Sequence, residues 1–98
     1  MRMIAKEGKA DEVEELLLTN VTRIKEGEEG NLTFAVHRST DDPNEDWLYE
    51  TWESQEAVDE HERGAAFEEY KTRLRPLVDA DTVLFENTTP IAVLGYEV

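Results

Sequence analysis

One stretch constrains this chain more than any other: Leu48-Tyr49-Glu50-Thr51-Trp52-Glu53-Ser54-Gln55-Glu56-Ala57-Val58-Asp59-Glu60-His61. It reads as a strand that ends at Trp52 and a helix that begins at Ser54. Trp47, Leu48, Tyr49, Thr51 and Trp52 are aromatic, β-branched or aliphatic, the types that suit a pleated, half-buried surface. Alternation puts Leu48, Glu50 and Trp52 on one face and Trp47, Tyr49 and Thr51 on the other. Ser54 can cap the helix by accepting from an unpaired first-turn amide. Glu53 and Glu56 lie where the helix dipole favours carboxylates. Ala57, Val58 and His61 share a face by the three- and four-residue spacing, so His61 points inward, toward the sheet that carries Trp52.

The rest of the chain supplies matching elements. Residues 1–6 form a first strand with Met1, Met3 and Ala5 on one face. Gly8 turns the chain, and Asp11 with Glu14 makes a capping-box pattern at the start of a helix. Its buried stripe is Ala10, Val13, Leu17, Val21 and Ile24, widened by Leu16, and Glu12, Glu15, Thr19, Arg23 and Glu26 face outward. Gly27 and Gly30 end the helix and bracket a turn. A second strand covers residues 31–38, with Leu32, Phe34 and Val36 on one side and Thr33, Ala35 and His37 on the other. The turn-rich segment 39–46 makes it a hairpin with the strand through Trp52. Gly64 breaks the next helix, and a further helical piece carries Phe67, Tyr70 and Leu74 until Pro76 ends it. Residues 81–86 form a last strand. The order is βαββαβ, so the fold class is α+β: a ferredoxin-like sandwich, one antiparallel sheet with its helices on one face. Residues 1–88 make this domain. Residues 89–98 form a tail whose apolar part, 91–96, should be a strand pairing at a sheet edge or dimer interface.

Length and charge bound the function. Ninety-eight residues make one domain, small enough that oligomerisation would help it bury a core. There is no cysteine, which removes disulfides, thiolate metal sites and a cysteine nucleophile. No apolar run approaches a membrane span and no signal-peptide pattern opens the chain, so the expectation is a soluble cytoplasmic protein. Twenty-four acidic residues face ten basic ones, a formal charge of −14, and only Lys6, Lys9, Lys25 and Lys71 are lysines. Such a surface repels nucleic acid and anionic membranes, which are discounted as partners. An acid-rich, lysine-poor domain with regular apolar patterning is similar to proteins of salt-in halophiles, and that adaptation is the preferred reading. With both helices on one side, the other sheet face keeps large apolar groups uncovered, so a homodimer is expected. Phe34, Trp52, His61, Phe67 and Tyr70 can line a slot between sheet and helices, apolar with few polar groups, as suits a small aromatic substrate.

The run Tyr-Glu-x-Trp-x-Ser-x-Glu-Ala-x-x-x-His (Tyr49 to His61), followed by Phe67 and Leu74-Arg75-Pro76-Leu77, resembles the antibiotic biosynthesis monooxygenase family, which includes quinol monooxygenases. Gly8-Lys9, Glu29-Gly30, Arg38-Ser39 and Asp42-Pro43 fall at that family's landmarks, although the first strand is shorter than the family usually carries. The resemblance implies a dimeric α+β barrel. It also implies oxygenation of a quinol or polyphenol by O2 without metal, flavin or other cofactor, since an electron-rich phenolate can itself pass an electron to O2. In that reading His61 is the catalytic base, Phe34, Trp52, Phe67 and Tyr70 bind the ring, and Tyr49 and Glu50 support, with Glu50 holding the imidazole tautomer. The same residues also fit plainer roles. A histidine on an apolar helical face serves as a core residue bonded to a backbone carbonyl, the aromatics serve as core, Glu50 can pair with Arg38 or Arg73, and the whole can be a non-enzymatic binding domain. The spacing of histidines and carboxylates matches no metal site. Haem-degrading relatives of the same fold use a first-strand asparagine, a tryptophan and a histidine ligand. Here the first strand lacks asparagine, the tryptophan position falls at His61 and the ligand position near Tyr70-Lys71, which disfavours haem chemistry.

Overall fold

A computed structural model describes residues 1–95. Among them, three strands form one antiparallel sheet in the order β1-β3-β2, where β1 is Arg2–Ile4, β2 Asn31–Arg38 and β3 Glu45–Trp52. Three α-helices, α1 (Ala10–Gly27), α2 (Gln55–Arg63) and α3 (Ala65–Leu74), complete the α+β, ferredoxin-like arrangement. The core lies between sheet and helices. Met3 and Leu48 from the strands, with Ala5 just after β1, meet Val13 and Leu17 of α1, Tyr70 and Leu74 of α3, and Val78. These residues follow the alternation and helical spacing of the sequence.

Local chemistry explains the boundaries. Ser54 caps α2, its hydroxyl accepting from the Ala57 amide at 3.1 Å, a contact of about 1 kcal/mol in such helices. Gly64 separates α2 from α3 with extended backbone. At α1 the expected capping box does not form. Lys9 occupies the cap position without a side-chain bond, Asp11 lies in the first turn, and Glu14 instead takes the Arg38 guanidinium from β2. The stripe of α1 is also rotated slightly from the expectation: Asn20 is buried while Val21 is only half-buried.

The last strand is the larger correction. The chain after α3 does run antiparallel along β1, bridging at Ala5 with Val78 and Arg2 with Leu84. Between those bridges β1 advances from Arg2 to Ala5 while the facing chain advances from Val78 to Leu84. The surplus three residues are wound into a 3-10 turn, Ala80–Thr82. Asp79 drives it, its side chain accepting from the Asp81 amide and its carbonyl from the Thr82 hydroxyl at 2.6 Å. Local side-chain bonding to backbone competes with a ladder, and here it wins. The β1 edge is still satisfied, because Thr82 Oγ1 accepts from the Ile4 amide and Leu84 exchanges two backbone bonds with Arg2.

The sheet face away from the helices carries Trp47, Tyr49, Ala35, His37 and the Thr33–Thr51 hydroxyl pair. His37 meets Tyr49 edge-on at 5.4 Å, and Trp47 stacks on Tyr49 at 6.5 Å. Tyr49 is 55% exposed, and apart from the Arg2 guanidinium over the Trp47 ring no element among the described residues covers this face. Beyond Leu84, residues 85–95 carry no regular strand, and Ile91 and Leu94 stand in solvent. The expected strand 91–96 extends at residue 96 outside the described residues.

Candidate active site

A groove of about 750 Å³ opens where the turn after α1 meets the end of β3 and the α2–α3 junction. Three aromatic rings form one wall. Trp52 ends β3, His61 sits on the inner face of α2, and Phe67 comes from the first turns of α3. The imidazole lies between the other two, 4.5 Å from Trp52 and 4.8 Å from Phe67, ring centre to ring centre. Its side chain is only 6% exposed. Glutamates rim the groove, among them Glu29, Glu53, Glu56 and Glu60.

His61 Nδ1 stands 2.6 Å from Oε1 of Glu28, which follows the last residue of α1. The other carboxylate oxygen of Glu28 accepts from Arg23 Nη1 at 2.7 Å, and Arg23 Nη2 donates to Asn20 Oδ1 at 2.9 Å. His61 Nε2 makes no hydrogen bond among the described residues. Behind Trp52, its indole N–H donates to Glu50 Oε1 at 3.3 Å. Burial pushes the Glu50 carboxyl above its ordinary range, against the opposing pull of His61 and the Trp52 N–H. Tyr70 is buried behind Phe67, 6.3 Å between centres, and its hydroxyl has no partner among the described residues. Burial, then the nearby Glu50 charge, pushes the pKa of its hydroxyl well above that of a free phenol. Among the described residues no group of three or more His, Cys, Asp or Glu side chains is placed to hold a metal ion.

The model of the antibiotic biosynthesis monooxygenase family matches residues 1–73. The chain belongs to that family. Solved structures agree in fold. A candidate antibiotic biosynthesis monooxygenase from Chloroflexus aurantiacus superposes with a TM-score of 0.76 at 24% identity, over 96% of this chain and 91% of that one. Its counterpart from Deinococcus radiodurans gives 0.76 at 21% identity, over 96% and 94%. One from Nitrosomonas europaea gives 0.73 at 22%, over 79% and 73%. No curated protein matches the chain. Family membership supports a monooxygenase-like domain in general terms.

Of the site residues expected from sequence, this family member brings His61, Trp52 and Phe67 together in the groove and places Glu50 directly behind them. Phe34 and Tyr70 pack in the interior and do not line the groove, whereas Tyr49 lies on the opposite sheet face. Glu50 does not pair with Arg38, which goes to Glu14, nor with Arg73, which goes to Glu69. Nor does it touch the imidazole nitrogen, whose partner is Glu28. Nothing in the sequence alone marks Glu28 among twenty-four acidic residues. It stands just past the end of α1 at Gly27, and only the crossing of α2 brings His61 to it.

Proposed function

We propose that this chain is a cofactor-independent monooxygenase that oxidises a quinol or polyphenol with O2. The supporting observation is His61, buried between two aromatic rings in the groove, with Nδ1 held by Glu28 and Nε2 unpaired. The wall of the groove formed by Trp52, His61 and Phe67 suits an aromatic substrate. Nε2 takes the phenolic proton, and the resulting phenolate passes an electron to O2. The two radicals join at a ring carbon as a peroxide. One oxygen atom ends as a ring carbonyl, and the other leaves as water with the phenolic proton and the displaced ring hydrogen. The working unit in this reading is a homodimer packed sheet to sheet, supported by the uncovered face around Trp47 and Tyr49.

Oxygen uptake with a reduced naphthoquinol tests the reading, with no added metal, flavin or haem and with the protein-free rate subtracted. The wild-type rate should exceed that background. His61→Ala should lower turnover at least ~100-fold, in line with general-base contributions of about 10²–10⁴, while far-ultraviolet circular dichroism stays unchanged. If no quinol is consumed above background, the groove is the binding site of a non-enzymatic domain.

A further inference from the structure

The structure assigns Glu28, locked in place by Arg23, as the positioning residue that makes His61 Nε2 a proton acceptor. This rests on the reading of His61 as the base, but its first test does not require activity. A carboxylate can only accept, so at 2.6 Å the neutral imidazole must place its proton on Nδ1. Nε2 is left with a lone pair. Free histidine prefers the opposite tautomer, with the proton on Nε2, which could not accept a substrate proton. Without Glu28 the groove would present a donor.

Arg23 determines how firmly this is imposed. It is a permanent cation with no acceptor atom, and it engages the second oxygen of the same carboxylate at 2.7 Å. Arg23 is itself held by buried Asn20, three residues earlier on α1. Glu28 therefore has both oxygens committed, one to Arg23 and one to His61. Beside the same turn, Gly30 lies against α2, where the imidazole is carried.

The chemistry of Glu28→Gln follows from Arg23. The amide oxygen must face the guanidinium, because Arg23 only donates. The amide NH2 then faces Nδ1, which must become an acceptor, and the His61 proton moves to Nε2. A near-isosteric change should invert the tautomer rather than merely loosen the ring. Two histidines make this readable: nitrogen NMR of histidine-labelled protein reports both, with exposed His37 as the internal reference.

In wild type, the neutral His61 ring should show its proton on Nδ1, and in Glu28→Gln on Nε2, with His37 unchanged. Glu28→Gln/Arg23→Met frees the amide to turn, and the Nδ1 form should partly return. Turnover of the naphthoquinol should fall at least ~100-fold in Glu28→Gln with KM little changed, and recover partly in the double variant. Exposed Glu12→Gln, which removes the same charge elsewhere, should change neither signal nor rate. A wild-type ring protonated on Nε2, or a tautomer indifferent to Glu28→Gln, overturns the assignment. So does an inverted tautomer with an unimpaired rate. Inactivity of wild type on every quinol, with the tautomers as stated, defeats the monooxygenase reading and leaves the positioning role standing.

Discussion

At the scale of single residues, Asp46 is a buried carboxyl whose protonation is tied to folding. It is 1% exposed, and as a carboxylate it accepts no hydrogen bond among the described residues, whereas the protonated group can donate to Glu14. Burial pushes its carboxyl up to about 7, the neighbouring Glu14 adds to the rise, and Arg38 opposes it. Arg38, in turn, holds Glu14 low through their ion pair. The folded state thus keeps a proton on Asp46 that the unfolded chain, with an aspartate near about 3.9, has released. Stability from this group is complete below about pH 4 and lost as pH rises toward 7. Asp46→Asn should remove that slope, melting higher than wild type at pH 8 and close to it at pH 4. Thermal melts across that range check it, and parallel curves for the two proteins would refute it. The alternation of β3 was legible, with Leu48, Glu50 and Trp52 on one face, and so was the inward face of His61. Asp46 shares that β3 face, yet its sequence neighbours read as a loop. Which carboxylate meets which cation depends on where two elements cross, and the sequence carries no local mark of that. Hence Glu28 and the Glu14–Arg38 pair emerge only in three dimensions.

At the scale of elements, the strand-to-helix turn at Ser54 was legible because its chemistry is local: a β-rich run, a capping hydroxyl, then an amphipathic helix. The 3-10 turn at Ala80–Thr82 is local as well, yet Thr82, Val83, Leu84 and Phe85 look like a strand by composition. Asp79 overrides that composition by bonding its own following backbone. The groove depends on a contact between elements at Gly30. Its carbonyl accepts from the Glu53 amide at 2.8 Å, and a Cβ added there would lie 2.6 Å from the Ala57 Cβ on α2. Neither atom belongs to a flexible side chain, so the turn and α2 must move apart. Gly30→Ala should cost about 1–3 kcal/mol, as overpacking does, lowering Tm by several degrees in a domain this size. Ala57→Gly alone costs about 1 kcal/mol of helix propensity, but it reopens the space. The double variant should therefore melt above the sum of the two single losses, and strictly additive losses would show that the contact is not tight.

At the scale of the whole molecule, charge and the uncovered sheet face act together. Only ten basic residues offset twenty-four acidic ones. Several of those bases sit in exposed pairs, such as Lys9–Glu12 and Arg73–Glu69, which contribute little to stability. Mutual repulsion among the remaining carboxylates is the larger electrostatic effect, and it opposes both folding and the approach of a second chain of the same charge. No helix among the described residues is long and apolar enough to cross a membrane, and in the proposed dimer a second copy of the chain covers Trp47 and Tyr49. Salt shortens the reach of repulsion to about 3 Å near 1 M, whereas apolar contact across the sheet face is not weakened by it. Melting temperature should therefore rise steadily with potassium chloride, and sedimentation equilibrium at micromolar protein should show the dimer gaining over the same range. Tyr49→Glu, placing one more carboxylate at the centre of the exposed face, should hold the protein monomeric even in molar salt without unfolding it. A monomer at every salt concentration would refute the sheet-to-sheet dimer. A melting temperature flat or falling with salt would remove the basis for the halophilic reading, because screening would then have nothing to relieve.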